Sequence, residues 1–242
     1  LFNYKFILYN LYILILYNMR SQRENNQLRN IIVTKNFMKN AFSSCLIEFG
    51  NTKVICSVSI EDRVPRWLKG SGKGWLTAEY SMLPTSTNTR NERDINKGKL
   101  SGRSQEIQRL IGRSLRNSID LTLLENILIK VDCDVLSADG GTRTTAINGS
   151  WIALSLAVNR LKKENFIKTN PLNFCVTAIS CGIFGEKILL DLDYNEDSNA
   201  DADANFIFNN KGDIIEIQCT GEKSTISEDK FMEMYRLAKN SA

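Results

Sequence analysis

Short strand-like runs, apolar or alternating between apolar and polar residues, recur along the chain. Six of these runs form three pairs, and each pair is joined by a turn that contains glycine. The pairs are 44–49 with 53–60, 175–184 with 188–192, and 205–208 with 213–218. The pattern therefore predicts three pairs of neighbouring β-strands.

Apolar residues repeat at helical spacing in two further segments, one over 103–119 and one after Gly141. The predicted buried stripes are Ile107, Leu110, Ile111 and Leu115 in the first helix, and Ile147, Trp151, Leu154, Val158 and Leu161 in the second. A last helix of about three turns is predicted from Ser227, because Glu228 and Asp229 suit its first turn. Strand pairs followed by a helix thus recur, which indicates an α/β chain of two similar halves in one compact unit.

The segment 131–145, VDCDVLSADGGTRTT, joins a predicted strand to the second helix. Gly140 and Gly141 allow a sharp turn with positive φ values. Gly141, Thr142 and Arg143 then lie at a helix start, where unpaired backbone N–H groups and the helix dipole favour an anion. The Arg143 guanidinium can bind a phosphate through two hydrogen bonds. The alternative is an ordinary strand-to-helix turn whose arginine meets solvent or a carboxylate.

A polar, irregular segment at 85–99 continues directly into the first helix. Its basic residues are Arg90, Arg93, Lys97 and Lys99. Basic residues among hydroxyl and amide side chains suit a sugar-phosphate backbone, so we predict contact with nucleic acid here. A merely solvated charged surface is the competing interpretation. Arg103 lies at the N-terminus of the first helix and can present a second guanidinium to the anion of Arg143.

Composition narrows the chemistry that these segments can perform. The chain has 242 residues, 43% of them apolar, and a net charge of +4, which fits one large globular domain or two small ones. It contains no histidine, which excludes Ser-His-Asp and Cys-His catalysis and every histidine-containing metal site. The six cysteines form no CxxC pair. We therefore expect reduced core cysteines, no disulfides and a cytoplasmic location.

The segment 191–205, DLDYNEDSNADADAN, carries six carboxylates. It does not match an EF-hand, because Ser198 replaces the required glycine and Ala204 stands where the bidentate glutamate must be. Mg²⁺ requires fewer protein ligands, often one or two carboxylates together with water and a substrate phosphate. Asp197 and Asp203, or a neighbouring pair, are the candidate ligands. A solvated acidic loop is the alternative.

Together these segments supply a phosphate pocket, a second arginine, a carboxylate metal site and a basic loop, but no evident side-chain nucleophile. This combination suits a reaction in which inorganic phosphate attacks a phosphodiester while arginines and Mg²⁺ neutralise the negative charge. We therefore expect Mg²⁺ as a cofactor and inorganic phosphate as a co-substrate.

Seven segments closely resemble ribonuclease PH, and the resemblance covers essentially everything from Met19 onward. They are NQLR at 26–29, GWLTAEYSMLP at 74–84, RNER at 90–93, GRSQEIQRLIGRSLR at 102–116, DCDVLSADGGTRTTAINGS at 132–150, KTNP at 168–171 and DLDYNEDSNADADAN at 191–205. The resemblance implies an α/β fold, a ribonuclease PH-like two-layer fold of mixed sheets and helices. It also implies a left-handed βαβ crossover, which general topology rules would make right-handed. A single such domain is expected over 19–242.

The resemblance further implies a phosphorolytic 3′-to-5′ exoribonuclease, a nucleotidyltransferase that trims tRNA precursors and releases nucleoside diphosphates. It implies Mg²⁺ as the cofactor and a hexameric ring of dimers as the assembly. By position, the family's phosphate ligands fall on Arg103, Gly141, Thr142 and Arg143, its catalytic, metal-binding aspartates on Asp197 and Asp203, and its tRNA-contacting arginines on Arg90 and Arg93.

Two departures from the family pattern affect the expected contact with RNA. Thr85 stands where the family usually has a third RNA-contacting arginine, and the last helix looks shorter. Two other functions stay open. One is a catalytically silent, RNA-binding ring subunit of an exosome-like assembly, which would have lost phosphate ligands or aspartates. The other is a hydrolytic nuclease, which would release monophosphates.

Residues 1–18, LFNYKFILYNLYILILYN, have no counterpart in the family. The run is about long enough for a short membrane span, but Lys5 and Asn10 interrupt it and no small-residue cleavage site follows. We interpret it as a non-native or upstream-translated apolar extension, with Met19 as the native start, and we expect no membrane partner.

A glycine-rich loop at 68–75, LKGSGKGW, invites comparison with nucleotide-binding motifs. It fits neither, because Trp75 stands where a GxGxxG motif needs glycine and Gly74 stands where a P-loop needs serine or threonine. We predict a mobile loop instead.

Overall fold

The computed structural model of the protein describes Arg20 and residues 23–242, so the interpretation of residues 1–18 and of Met19 lies outside the described residues. Within the described part, nine strands form two sheets, and four α-helices accompany them. This architecture confirms the predicted α/β class of mixed sheets and helices. No helix in that part of the chain is both long and apolar enough to cross a membrane.

The first sheet contains the strands β1 (Ile31–Lys35), β2 (Ser43–Phe49), β3 (Thr52–Glu61), β4 (Trp75–Met82) and β5 (Leu128–Ser137). Their order across the sheet is β1-β2-β3-β5-β4. All neighbours are antiparallel except β4 and β5, which run parallel. The strand pair predicted around Gly50 is β2 with β3, whose register pairs Phe49 with Thr52.

Helix α1 (Gly102–Asn117) connects the parallel strands β4 and β5 and completes a βαβ unit. Ser101 caps the helix, because its Oγ accepts a hydrogen bond of 3.1 Å from the Ser104 backbone N–H. The predicted stripe is fully buried, and its members are Ile107, Leu110, Ile111 and Leu115. The unit expected to cross over in the left-handed sense is therefore present, and its handedness stays a prediction.

Helix α2 (Thr142–Lys163) follows β5 and contacts both sheets, since it packs on β2 and β3 and also on β6 (Val176–Phe184). Gly149 permits this approach, because a Cβ there would lie 2.6 Å from Cys56 Sγ and from Ile47 Cγ2. Of the predicted stripe, Trp151 is half-buried and the others are fully buried, namely Ile147, Leu154, Val158 and Leu161. The second helix thus joins the two halves through a common core.

The second sheet is built from β6, β7 (Lys187–Leu190), β8 (Ala202–Asn209) and β9 (Ile214–Gly221). Its order is β7-β6-β8-β9, and all neighbours are antiparallel. Both strand pairs predicted for this region are therefore confirmed. The short helix α3 (Tyr194–Asn199) lies in the connection between β7 and β8.

Helix α4 (Glu228–Ser241) packs against the second sheet and helps to form a separate core that includes Phe206, Phe208 and Met234. Ser227 caps it as predicted, because the Ser227 Oγ accepts a hydrogen bond of 3.3 Å from the Lys230 backbone N–H. The helix has 14 residues, about four turns, and is longer than the about three turns that were predicted.

Strands β1 and β4 are not among the predicted elements. β1 is an edge strand, and Ile31 and Ile32 are both exposed, so its sequence shows no alternation between a buried and a solvated face. β4 does carry such a pattern, because Leu76, Ala78 and Tyr80 are buried and the residues between them are polar or charged. The sequence of β4 therefore contains the alternation of apolar and polar residues that predicts a strand.

Candidate active site

The turn between β5 and α2 has the conformation that its two glycines predict. Gly140 and Gly141 have φ values of 72° and 64°, in the left-handed region that favours glycine. A Cβ on Gly140 would lie 2.5 Å from the Leu192 carbonyl oxygen and from the Asp193 carbonyl carbon. The turn therefore lies directly against the backbone that leads into α3, and the two halves of the molecule meet at this point.

Helix α2 begins directly after this turn, with Gly141 as its N-cap residue. Among the described residues, no side chain caps this helix start, so the N–H groups of its first turn are left for an anion. Tyr80 from β4 donates a hydrogen bond of 3.0 Å to Thr142 Oγ1, which orients the threonine. The prediction that 141–143 forms a helix N-terminus is therefore confirmed.

Two arginines lie at this helix start. Arg143 belongs to the first turn of α2 itself, and Arg103 comes from the first turn of α1. Arg143 Nη1 donates to Gln218 Oε1 at 2.7 Å and to Glu106 Oε1 at 3.2 Å. The alternative in which this arginine meets a carboxylate is therefore realised in part. The Glu106 side chain is 47% exposed, however, so solvent weakens this ion pair. An anion bound at the helix start can compete for the guanidinium.

Asp197 lies on α3 and Asp203 on β8, so the two carboxylates come from neighbouring elements of the second half. The pKa of Asp197 is raised because its carboxyl loses hydration at the site, while the positive charges of Arg103 and Arg143 act in the opposite direction. The pKa of Asp203 is raised by loss of hydration and then by the negative charge of Asp197. The positive charge of Arg143 thus acts on both carboxyls, and the negative charge of Asp197 acts on Asp203.

All six residues predicted to bind phosphate or metal line one small cavity of about 40 Å³. They form a phosphate side, defined as Arg103, Gly141, Thr142 and Arg143, and a carboxylate side, defined as Asp197 and Asp203. Ser180, Cys181, Leu192, Ala204 and Asn205 complete the lining. A cavity of this size holds a few water molecules, and we infer that a small anion can occupy the same space.

The carboxylate side fits Mg²⁺ better than a metal held by protein alone. Within the described residues, no cluster of three or more His, Cys, Asp or Glu side chains could hold a metal ion. Mg²⁺ binds through one or two carboxylates and completes its shell with water and substrate phosphate. Asp197 and Asp203 bring two oxygen-donor side chains to one cavity and so meet this requirement.

A larger cavity of about 420 Å³ adjoins the first, because Arg103 lines both. Arg93 also lines it, together with Tyr80, Met82 and Leu100, so the structure brings this predicted RNA contact next to the site. Arg90 is exposed on the same loop and is not part of this lining. Glu92 and Asp94 line it as well, so the larger cavity offers a surface of mixed charge with apolar side chains beside the phosphate side.

The other arginines of α1 differ in their availability to RNA. Arg113 forms an ion pair with Glu216, with an Nε–Oε2 distance of 3.0 Å. Arg116 lies over the Trp75 ring and donates a hydrogen bond to the Leu76 carbonyl oxygen. Arg109 is exposed. Much of the basic helix surface therefore stabilises the protein itself.

Sequence reasoning missed a buried set of arginines near the start of the described chain. Arg20 and Arg23 bind the Glu196 carboxylate, with closest distances of 2.6 and 3.0 Å. Asp191 is also buried, so it is not a free metal ligand of the acidic segment, and it binds Arg23 and Arg29. The acidic segment is thus partly an ordered ion-pair network, while Asp197 on α3 remains exposed.

One local signal in the acidic segment was visible in the sequence. Asp193 and Glu196 form a capping box at the start of α3, because each side chain accepts a hydrogen bond from the backbone N–H of the other residue. An Asp followed three residues later by Glu is a known pattern for a helix start. The pattern accounts for α3, although the arginine partners lie far away in the sequence.

Comparison with models of protein families establishes the family to which this chain belongs. The model of the 3′ exoribonuclease family, domain 1, matches residues 27–158, and the model of domain 2 of the same family matches residues 175–241. The chain belongs to the ribonuclease PH family. The phosphate side comes from the first matched region, and the carboxylate side comes from the second. A single domain over 19–242 stays a prediction.

Solved structures of similar fold include subunits and assemblies of exosomes. Rrp46 of rice (Oryza sativa) matches with a TM-score of 0.73 and 22% identity, over 90% of this chain and 91% of that chain. The Archaeoglobus fulgidus exosome with RNA bound to the active site matches with a TM-score of 0.77 and 19% identity, over 98% and 96%. An archaeal exosome core matches with a TM-score of 0.72 and 19% identity, over 98% and 95%. At these identities the matches establish the ribonuclease PH fold.

Proposed function

We propose that this protein is a phosphorolytic 3′-to-5′ exoribonuclease that trims the 3′ end of tRNA precursors. The observation that carries the proposal is the small cavity in which the phosphate side faces the carboxylate side. A site of this kind can hold inorganic phosphate next to an RNA phosphodiester and neutralise both. It needs no side-chain nucleophile, because phosphate itself performs the attack.

In the proposed reaction, an oxygen of inorganic phosphate attacks the phosphorus atom of the last phosphodiester. A new oxygen–phosphorus bond forms, and the bond between phosphorus and the 3′ oxygen of the preceding nucleotide breaks. The last nucleotide leaves as a nucleoside diphosphate. The proton of the attacking phosphate is balanced by the proton that the leaving 3′ oxygen gains, so the shortened RNA ends in a 3′ hydroxyl.

The phosphate side binds and orients the nucleophile. The first-turn N–H groups of α2 and the guanidiniums of Arg103 and Arg143 are fixed donors before the reaction begins, and preorganised donors of this kind stabilise charge that develops in the transition state. Thr142 is held by Tyr80 from β4, which limits its movement. The phosphate can therefore be held in one orientation relative to the RNA.

Asp197 and Asp203 would hold Mg²⁺, which supplies Lewis-acid stabilisation of the crowded phosphate oxygens when it is bound. Asp197 and Asp203 line the same cavity as the phosphate side, so they lie where the leaving 3′ oxygen would be stabilised. The two aspartates lie across the cavity from the arginines, so binding of the nucleophile and stabilisation of the leaving group fall to different side chains. One side of the cavity binds the nucleophile, and the other serves the leaving group.

The larger cavity is the proposed path for the RNA 3′ end. Arg93 and Arg103 line it, and Tyr80, Met82 and Leu100 supply apolar surface for a base. Arg90 is exposed farther along the same loop, where a tRNA backbone can reach it. The similar Archaeoglobus fulgidus exosome has RNA bound to its active site, which supports an RNA substrate here.

Several copies of the chain are proposed to act together as a hexameric ring of dimers, as the family resemblance implies. A ring would place several basic loops around one tRNA, and such multivalency raises affinity without new contacts. Light scattering during active turnover tests this part. A strictly monomeric and fully active enzyme would contradict it.

A catalytically silent, RNA-binding subunit of an exosome-like assembly is the second candidate, and the fold similarity to exosome subunits favours it. Such a subunit would have no reason to retain the complete set of phosphate ligands and aspartates. Here the whole set lines one cavity. The catalytic proposal therefore explains more of the site.

The decisive experiment incubates a 3′-extended tRNA with the purified protein and Mg²⁺, with and without inorganic phosphate, and identifies the released nucleotide. Phosphate-dependent release of nucleoside diphosphates supports the proposal. Release of monophosphates without phosphate would identify a hydrolytic nuclease. Binding without any release would identify the silent subunit.

A further inference from the structure

We propose that Arg29 and Asp191 form a positioning pair that aligns the phosphate side of the cavity with the carboxylate side. Its role in the reaction rests on the function proposed above, but its effect on phosphate binding does not. Neither residue lines the small cavity. Both act through the backbone on which the ligands stand, and the contacts of Arg29 carry the argument.

Arg29 binds Asp191 through three hydrogen bonds. Its backbone N–H and its Nε–H donate to Asp191 Oδ2 at 2.7 and 3.0 Å, and its Nη2 donates to Asp191 Oδ1 at 2.6 Å. Both side chains are almost completely buried. The fork of the guanidinium matches the carboxylate in a way that a lysine cannot reproduce.

The same guanidinium also holds the turn that forms the phosphate side. Its Nη1 donates to the Asp139 carbonyl oxygen at 2.5 Å, and its Nη2 donates to the Gly140 carbonyl oxygen at 3.4 Å. The Thr52 hydroxyl adds a 2.7 Å hydrogen bond to the Gly140 carbonyl. Because a peptide group is planar, fixing the Gly140 carbonyl also fixes the direction of the Gly141 N–H. Arg29 thereby aims one of the backbone donors available to phosphate.

Asp191 transmits the contact to the carboxylate side. It has a φ of 53°, in the left-handed region, and its backbone N–H donates to the Ser180 carbonyl at 2.7 Å. Two residues later, Asp193 caps α3, the helix that carries Asp197. The position of Asp191 therefore sets where α3 begins relative to the Gly140 turn.

Arg20 and Arg23 anchor the same helix through ion pairs. Both bind Glu196, and Arg23 Nη1 also donates to the Asp191 carbonyl oxygen at 2.8 Å. These contacts fix α3 and Asp191, which lies two positions before the N-cap residue of that helix, to the start of the described chain. Arg29 is the member of this network with hydrogen bonds both to the turn at Asp139 and Gly140 and to Asp191, so it is the residue whose change tests the inference.

The chain offers a matched control in Arg113. Like Arg29, it comes from the first half and forms an ion pair with a carboxylate of the second half, Glu216 on β9, through its Nε and Nη2 atoms. Within the described residues, its side chain donates to Glu216 and makes no hydrogen bond to the Gly140 turn. The Arg113 side chain is 46% exposed and that of Arg29 only 9%, so Arg113→Lys controls for loss of an ion pair between the halves but not for loss of a buried one. Misdirection of the turn would follow only from the change at Arg29.

The test compares the full-length variants Arg29→Lys and Arg113→Lys with wild type. Calorimetry gives the Kd for inorganic phosphate, kinetics give the phosphate KM and kcat, and filter retention gives tRNA affinity. We expect Arg29→Lys to raise the phosphate Kd and KM roughly ten- to hundredfold, by analogy with the loss of affinity when a residue that orients a metal ligand is changed. Arg113→Lys should leave both constants within about twofold of wild type, and tRNA affinity should be unchanged in both variants.

An unchanged phosphate Kd in a folded Arg29→Lys protein, or an equal rise in Arg113→Lys, would overturn the inference. If Arg29→Lys does not fold, Asp191→Asn takes its place, because asparagine tolerates the positive φ while losing the charge that pairs with Arg29. A wild-type protein that binds phosphate but releases no diphosphate would refute the proposed function alone, and the Kd comparison would still decide the positioning pair. A wild-type protein that binds no phosphate would overturn both.

Discussion

The phosphate side of the cavity depends on backbone geometry, whereas the carboxylate side depends on two side chains. Gly140 and Gly141 turn the chain so that the N–H groups at the start of α2 face the cavity, and arginines add charge to this arrangement. Asp197 and Asp203 supply their own charge from a short helix and the strand that directly follows it, and tertiary contacts bring this unit to the phosphate side. The phosphate side should therefore be sensitive to added atoms, and the carboxylate side to lost charge.

The largest expected effect comes from Asp197→Asn and Asp203→Asn. Removing either carboxylate should lower kcat for diphosphate release by roughly a thousandfold or more, because several kcal/mol of metal-dependent stabilisation are lost. tRNA affinity should be retained or slightly increased, since RNA is bound mainly through its phosphates. Filter retention and a Mg²⁺ titration of turnover are the measurements. Wild-type turnover in either variant at all Mg²⁺ concentrations would assign that aspartate to a solvated acidic surface and not to the metal.

The next effect concerns the arginines of the phosphate side. Arg143→Ala and Arg103→Ala should each raise the phosphate KM or lower kcat by roughly two to three orders of magnitude, by analogy with loss of one preorganised donor. Arg109→Ala is the matched control, because Arg109 is exposed on the same helix as Arg103 and does not line the small cavity. Steady-state kinetics at varied phosphate concentration provide the measurement. Near-normal phosphate dependence in both site variants would remove this pocket from the mechanism.

A pair of glycines separates backbone strain from packing. Gly140 and Gly72 have nearly equal φ values, 72° and 71°, but a Cβ on Gly140 would meet backbone atoms at 2.5 Å, whereas a Cβ on Gly72 would have nothing within 4 Å. Gly140→Ala should therefore lower the free energy of unfolding by about 2–5 kcal/mol and weaken phosphate binding. Gly72→Ala should cost only about 1 kcal/mol, from the strained φ alone.

Urea denaturation of both variants measures this difference. Similar losses at the two positions would mean that φ strain decides, and that the contact between the turn and residues 192–193 has little energetic weight. The loop that contains Gly72 thus serves as an internal reference for the loop that builds the site.

The smallest expected effect is a dependence of stability on pH at Asp203. Its pKa is raised in the folded protein, first by loss of hydration and then by Asp197, so the folded state holds the proton more tightly than the unfolded state. The resulting stability is fully present below the unfolded pKa and is lost as pH rises through the raised folded pKa. In metal-free buffer, Asp203→Asn should therefore melt a few degrees higher than wild type at neutral pH, a gain limited by solvent screening.

The difference between Asp203→Asn and wild type should shrink as pH falls below the usual range of aspartate. Melting curves across a pH series in the presence of a chelator provide the measurement. A variant that is less stable than wild type at neutral pH would contradict this prediction. It would show that favourable contacts of the ionised Asp203 carboxylate outweigh the cost of its lost hydration.

Local patterns were sufficient to predict much of the fold and one side of the site. The stripes of α1 and α2 are buried, the strand pairs around Gly50, Gly185 and Gly212 form, and the turn at Gly140 opens a helix as its glycines require. These features depend on residues within a few positions of one another. Strands without a regular alternation of apolar and polar residues are harder to predict from sequence. The exposed edge strand β1 is such a strand, and it was not predicted.

The sequence by itself determined the backbone-built phosphate side, because a glycine turn and a helix start are local structures whose N–H groups point outward wherever they occur. Only the tertiary structure decided which carboxylates face that turn. Asp191 and Asp197 belong to the same acidic segment, yet Asp191 is buried against Arg29, more than 160 positions away along the chain, while Asp197 lines the cavity. Spacing along the chain does not distinguish them, because the arginines near each carboxylate come from distant segments.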